Sequence, residues 1–115
     1  MPAQSLMFPE LFKSIVIRKT KIRNRIVSTG HDTTIPSDGT VNDALVAYHE
    51  ARAKGGVGLI VAQVTGVHES ARYTNHVLMG TDDECIHGFT KLAKTIHKEG
   101  VKLIVQIFPP RKRND

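Results

Sequence analysis

At 115 residues, with 40% apolar and 23% charged residues, the chain has the size and composition of one globular domain and not of a disordered segment. Aromatic residues are 5% of the total and Trp is absent, which argues against a platform of exposed rings for stacking bases. The formal net charge is +5, of which the terminal Arg111-Lys112-Arg113-Asn114-Asp115 carries a net +2. A second basic cluster, Arg18, Lys19, Lys21, Arg23 and Arg25, lies near the N-terminus. Nucleic acid is one reading of such clusters, but a solvated charged face is favoured. The single cysteine, Cys85, excludes an internal disulfide and fits a reducing compartment. The start lacks the apolar core of a signal peptide, and no apolar run approaches the roughly 18–20 residues that span a bilayer. These features set the expectation of a cytoplasmic protein with no membrane partner.

Residues 11–17 alternate imperfectly between apolar and polar, as a short strand or hairpin arm does. Residues 26–28 form the first main strand and end in the small, polar Ser28, Thr29, Gly30 and His31. A loop over 35–40 turns at Asp38-Gly39. A helix over 42–54 follows, with Val41, Leu45 and Tyr48 as its apolar stripe. Gly55-Gly56 stops it with a residue free to adopt positive φ. Residues 57–63 are continuously apolar up to Gln63, which suits a strand buried on both faces.

The connection over 65–80 is long for a strand-to-helix link, and it holds His68, Arg72, Tyr73 and His76. Thr81 and Glu84 have capping-box spacing at the start of the second helix, expected over 82–98. Its buried stripe reads Ile86, Phe89, Leu92, Ala93 and Ile96, and Gly100 stops it. A third strand covers 102–108. The order β-α-β-α-β with short links predicts a parallel sheet with right-handed crossovers. Such strands deliver polar groups at their C-terminal ends, as the strands of an α/β barrel do.

Gly55-Gly56-Val57-Gly58 follows a helix and precedes a strand, the wrong order for a phosphate loop. The six histidines include no pair at the spacing of a zinc-binding helix, so a metal site is not expected. His49, His87 and His97 read as surface residues of helices. His31 lies just past the first strand, where ligands bind in such folds. Gln63 and Gln106 end or nearly end apolar strands. Each reads either as a satisfied core amide or as an amide meeting a ligand edge with one donor and one acceptor, as a flavin pyrimidine presents.

Several segments together resemble a known family. They are Leu11-Phe12, Ile22-Arg23-Asn24-Arg25-Ile26-Val27, Asp38-Gly39, and Tyr48-His49-Glu50-Ala51-Arg52-Ala53-Lys54-Gly55-Gly56-Val57-Gly58-Leu59-Ile60. His87-Gly88-Phe89, Lys91-Leu92 and the run from Gly100 to Gln106 continue the match. The order and spacing resemble the N-terminal part of the old yellow enzyme family, FMN-dependent NAD(P)H:flavin oxidoreductases that include the 2,4-dienoyl-CoA reductase branch. The resemblance implies a (β/α)8 (TIM) barrel with FMN at its C-terminal mouth and NAD(P)H as reductant. In complete relatives the substrate would be a small molecule, an activated alkene or related compound. By position, Thr29, Gly30 and His31 fall on the segment along the flavin ring. Val64 falls where a small residue packs near the flavin, and Gln106 on the glutamine that binds the isoalloxazine.

The resemblance runs to about Phe108, where the family continues to a His and then Gly-Arg. Here Pro109-Pro110-Arg111 follows instead, as a changed reading frame or an alternative end would produce. The reading is therefore an α/β fold, a partial TIM barrel with the first three parallel strands, two helices and an N-terminal hairpin or strand arm. Residues 1–108 are the N-terminal part of an FMN-binding barrel, and 109–115 a divergent basic tail. A truncated, inactive fragment is the expectation for the isolated chain, with self-association through its open barrel edge. A non-catalytic product is the alternative, and a basic nucleic-acid module is not favoured.

Overall fold

The computed structural model describes residues 6–110; the basic run over 111–115 lies outside the described residues. Strands β1 (Ile15–Ile17) and β2 (Thr20–Ile22) pair antiparallel as a hairpin, so the N-terminal arm is a two-stranded unit and not a single strand. A parallel sheet follows, built from β3 (Val27–Ser28), β4 (Leu59–Gly66), β5 (Leu78–Met79) and β6 (Lys102–Phe108). β4 lies at its centre. β3 pairs with the start of β4 at Val27↔Leu59, and β5 with its end at Thr65↔Leu78. β6 runs along β4 from Leu59↔Lys102 to Gly66↔Phe108. Helices α1 (Asp43–Lys54) and α2 (Cys85–Lys98) make the two crossovers.

The helices start and stop for local reasons. Asn42 accepts the Leu45 amide at 2.9 Å and caps α1. Gly56, at φ 108°, lets the chain leave α1 in a backbone conformation that other residues avoid. The capping box expected at Thr81 and Glu84 does not form. Asp82 instead accepts the Glu84 amide at 2.9 Å, one residue before α2 begins. Among the described residues, no helix is long and apolar enough to cross a membrane.

The core lies between β4 and the helices. Val46 and Ala53 of α1, Ile60 and Ala62 of β4, Leu92 and Ile96 of α2, and Val101 form it. Each fully buried Ile or Leu there contributes about 1.5–3 kcal/mol. Leu103 and Val105 of the open strand pack against this core. Ile104 and Ile107 are exposed instead, at 51% and 68%. The strand alternates, so Leu103 and Val105 face the helices while Ile104 and Gln106 share the opposite face.

Two readings of helix faces are corrected. Ile86 is 57% exposed, because about 100° per residue puts it roughly 120° round the helix from Leu92. His49 is buried at 1% exposure, not a surface residue. It lies four residues after Leu45 and four before Ala53, on the one stripe that faces inward.

Arg23 and Asn24 join the hairpin to this assembly. The Arg23 guanidinium donates to Ala53 O at 3.2 Å, Val57 O at 3.0 Å and Glu99 O at 2.7 Å. It therefore closes the C-terminal ends of both helices, where a cation is favoured. Asn24 donates to Gly56 O at 2.7 Å and accepts the Ile26 amide at 3.0 Å. A Cβ at Gly58 would stand 2.7 Å from Asn24 O, so glycine is needed where β4 begins against the hairpin.

Candidate functional site

The candidate residues gather at the C-terminal ends of β3, β4 and β6. The register of β4 against β6 shifts between Ala62 and Thr65, so Gln63 and Val64 together face the single Gln106. This bulge turns the polar end of β4, as bulges beside sites do. Val64 is half-buried within it. Gly30 lies across the sheet from there, against Gln106. A Cβ on Gly30 would stand 2.6 Å from Gln106 Oε1 and 3.2 Å from Val61 Cγ1. The bare glycine thus makes the space the carboxamide occupies. Gln106 is exposed, and its carboxamide makes no hydrogen bond among the described residues. It presents one donor group and one acceptor at the mouth of the sheet.

Thr29 is exposed beside Gly30. His31 turns the other way. Its Nδ1 lies 2.8 Å from Thr29 O and its Nε2 2.6 Å from the Tyr48 hydroxyl of α1. Thr29, Gly30 and Gln106 thus share the mouth, while the His31 ring backs the segment from the helix side.

Gln63 takes the structural alternative of the two open to it. It is fully buried, its Oε1 accepting from Thr33 Oγ1 at 2.6 Å and the Thr33 amide at 3.3 Å. Its Nε2 donates to His76 O at 2.9 Å. His76 Nδ1 in turn donates to Pro36 O at 2.8 Å, and the Met79 amide to Gly39 O at 2.9 Å. The loop after β3 and the loop after β4 are therefore sewn into one rim. The connection over 65–80 is largely ordered: β4 runs on to Gly66, a 3-10 turn spans Glu69–Ala71, and β5 closes the segment.

The sequence reading missed the link between Asp32 and Tyr73, which lie 41 residues apart. The Tyr73 hydroxyl donates to the Asp32 carboxylate in a short hydrogen bond. That carboxylate, with some burial, pushes the phenol up to about 12. The Tyr73 ring meets Phe108 edge-on, with centroids 5.8 Å apart. A cleft of about 530 Å³ opens beside them, lined by Arg72, Tyr73, Phe108 and Pro109 among others. Burial pulls the His49 imidazole down to about 4, with the Arg52 and His31 charges acting in the same direction. Its two ring nitrogens have no hydrogen-bond partner among the described residues.

A free carboxamide beside a glycine suits the edge of a flat, polar-rimmed ring system. Comparison with known proteins gives the same direction. The sequence profile of the NADH:flavin oxidoreductase / NADH oxidase family matches residues 10–113. The NADH oxidase of Thermoanaerobacter brockii is 38% identical over 102 residues, covering 87% of this chain and 16% of that protein. The NADPH dehydrogenase of Bacillus subtilis is 32% identical over 107 residues, covering 88% of this chain and 30% of that one. The old yellow enzyme of Trypanosoma cruzi superposes with a TM-score of 0.80 at 26% identity, covering 90% of this chain and 28% of that one. The chain thus spans less than a third of each of these relatives, and its three main strands and two helices correspond to the opening of a TIM barrel that the described residues do not close. The chain belongs to the NADH:flavin oxidoreductase / NADH oxidase family.

Proposed function

We propose that this chain supplies the N-terminal flavin wall of an FMN-dependent NAD(P)H oxidoreductase and is inactive by itself. The observation that carries the reading is the juxtaposition of Gly30 and Gln106. A Cβ at Gly30 would displace the Gln106 carboxamide, which otherwise stands free at the mouth. The residues present fit FMN: a carboxamide with a donor and an acceptor suits the pyrimidine edge. Thr29 and Gly30 would lie along the ring, Val64 would give it an apolar neighbour, and Gln106 would hold its polar edge. FMN, when bound, supplies hydride transfer from a nicotinamide to an activated alkene or related small molecule; the protein orients it and tunes its electronics.

Among the described residues no glycine-rich strand-to-helix turn is present to cradle the FMN phosphate. The exposed Ile104 and Ile107 on an open strand favour self-association. The lone Cys85 suits a cytoplasmic setting. The test is to purify the chain, add excess FMN, and measure bound flavin, NADPH oxidation and sedimentation. We expect no stoichiometric flavin, no turnover and oligomers. A yellow monomer that carries one flavin and turns over would overturn the fragment reading.

A further inference from the structure

We propose that Tyr48 is a positioning residue: its hydroxyl holds the Nε2 side of His31, whose Nδ1–H the Thr29 carbonyl fixes, and thereby sets the Thr29–Gly30 peptide. That this peptide faces a flavin rests on the function proposed above; the lock does not.

The tautomer follows from the partners. A carbonyl can only accept, so the 2.8 Å contact to Thr29 O requires a proton on His31 Nδ1. On a neutral ring, Nε2 then offers a lone pair, and the Tyr48 hydroxyl donates to it across 2.6 Å. Both ring nitrogens are engaged. His31 can bond a ligand only by breaking one of these contacts, so its part is played from behind the segment.

Tyr48 is itself held. Arg52 stands one helical turn along, its guanidinium 3.6 Å from the centroid of the Tyr48 ring. Arg52 Nη1 also donates to Tyr48 O at 3.0 Å. The His49 ring meets the Tyr48 ring edge-on, with centroids 5.2 Å apart and planes at 81°. A cation over a phenol draws electron density from it and makes the hydroxyl a stronger donor. The hydrogen bonds then run in series from Tyr48 through His31 to the Thr29 carbonyl. A peptide whose carbonyl accepts such a bond has a more polarised N–H, here that of Gly30. A helix side chain thus sets the donor strength of the glycine that lies against Gln106.

The experiment uses the full 115-residue chain, labelled with 15N. Long-range imidazole correlations at about pH 8, above the usual imidazole range, report which ring nitrogen of His31 carries the proton. We expect a protonated Nδ1 and an acceptor Nε2 in the wild type. Tyr48→Phe should leave the proton on Nδ1, which the Thr29 carbonyl holds, but shift the Nε2 resonance as its hydrogen bond is lost and move the Gly30 amide resonance, leaving α1 amides distant from residue 48 in place. Arg52→Lys should keep the wild-type pattern, and Arg52→Met should weaken it. A wild-type His31 in the Nε2–H form overturns the proposal, and so does a Tyr48→Phe chain with the Nε2 and Gly30 resonances unchanged. If Tyr48→Phe fails to fold, the wild-type tautomer and the Arg52 pair decide. None of these readouts involves flavin, so failure of FMN binding and failure of the lock are separate results.

Discussion

Arg23 ties the C-terminal ends of both helices to the segment that leads into Thr29 and Gly30, and Arg23→Ala removes that tie. The guanidinium serves the carbonyls of Ala53, Val57 and Glu99 through four hydrogen bonds of 2.7–3.3 Å. A net hydrogen bond is worth about 0.5–1.5 kcal/mol, and a cation at an exposed helix end about 0.3–1 kcal/mol. Arg23 is an exposed residue, so the freed carbonyls regain water and the low end applies. The expected loss is about 2–3 kcal/mol. For a chain of this size about 4 °C of Tm accompanies each kcal/mol, so melting should fall by roughly 8–12 °C. Arg23→Lys should recover part of this, since a single ammonium cannot reach three carbonyls in a fixed fork. Arg25→Ala is the control; Arg25 is exposed and its side chain has no hydrogen-bond partner among the described residues. Circular dichroism melts at fixed concentration give the answer. A drop no larger than that of Arg25→Ala would refute the reasoning.

Gln63→Leu should cost about 2–4 kcal/mol in urea unfolding, because it strands the Thr33 hydroxyl and His76 O inside the rim; an unchanged midpoint would show the loops are not joined there. His49 gives a pH dependence with a definite sign. Its folded value near 4 lies below the unfolded value of 6.5, so below about pH 6.5 the unfolded chain takes up a proton that the folded chain refuses. Stability is therefore full above that pH, is lost as pH falls toward 4, and should decline by about 1–3 kcal/mol over the window; His49→Leu should flatten that part of the urea-derived profile. Asp32→Asn should return the Tyr73 phenol from about 12 toward its ordinary value of 10.0, read by ultraviolet titration of the tyrosinate band. Gly30→Ala should leave Tm nearly unchanged, since the group it displaces is the end of a flexible side chain, yet move the Gln106 side-chain amide resonances.

The legible parts of the fold were those with long, uniform signals. The apolar run that became β4, the helix ending at Gly55-Gly56 and the third strand over Lys102–Phe108 follow from periodicity and stop residues. β5 carries only Leu78 and Met79, and its pairing depends on where β4 ends, so no local pattern marks it. His49 was misplaced because residue type outweighed spacing: four residues after Leu45 is an inward position even for an imidazole. In the candidate site, Gly30 and Gln106 were each readable from family likeness. Their contact across 76 residues was not, nor was the Asp32–Tyr73 link, because both depend on the register of three strands. Tyr48 passed for an apolar stripe residue, and only the structure gives its hydroxyl a partner in His31.

A graft tests most directly whether residues around Gly30 and Gln106 form a flavin wall. Residues 10–108 replace the matching segment of the Bacillus subtilis NADPH dehydrogenase, to which this chain is 32% identical, and FMN bound per chain is measured. The graft should be yellow, with one FMN per chain. Gln106→Ala within the graft should raise the FMN Kd by about 5–150-fold, the equivalent of about 1–3 kcal/mol. A folded graft without flavin, or one whose affinity and flavin spectrum ignore Gln106→Ala, would contradict a flavin wall there.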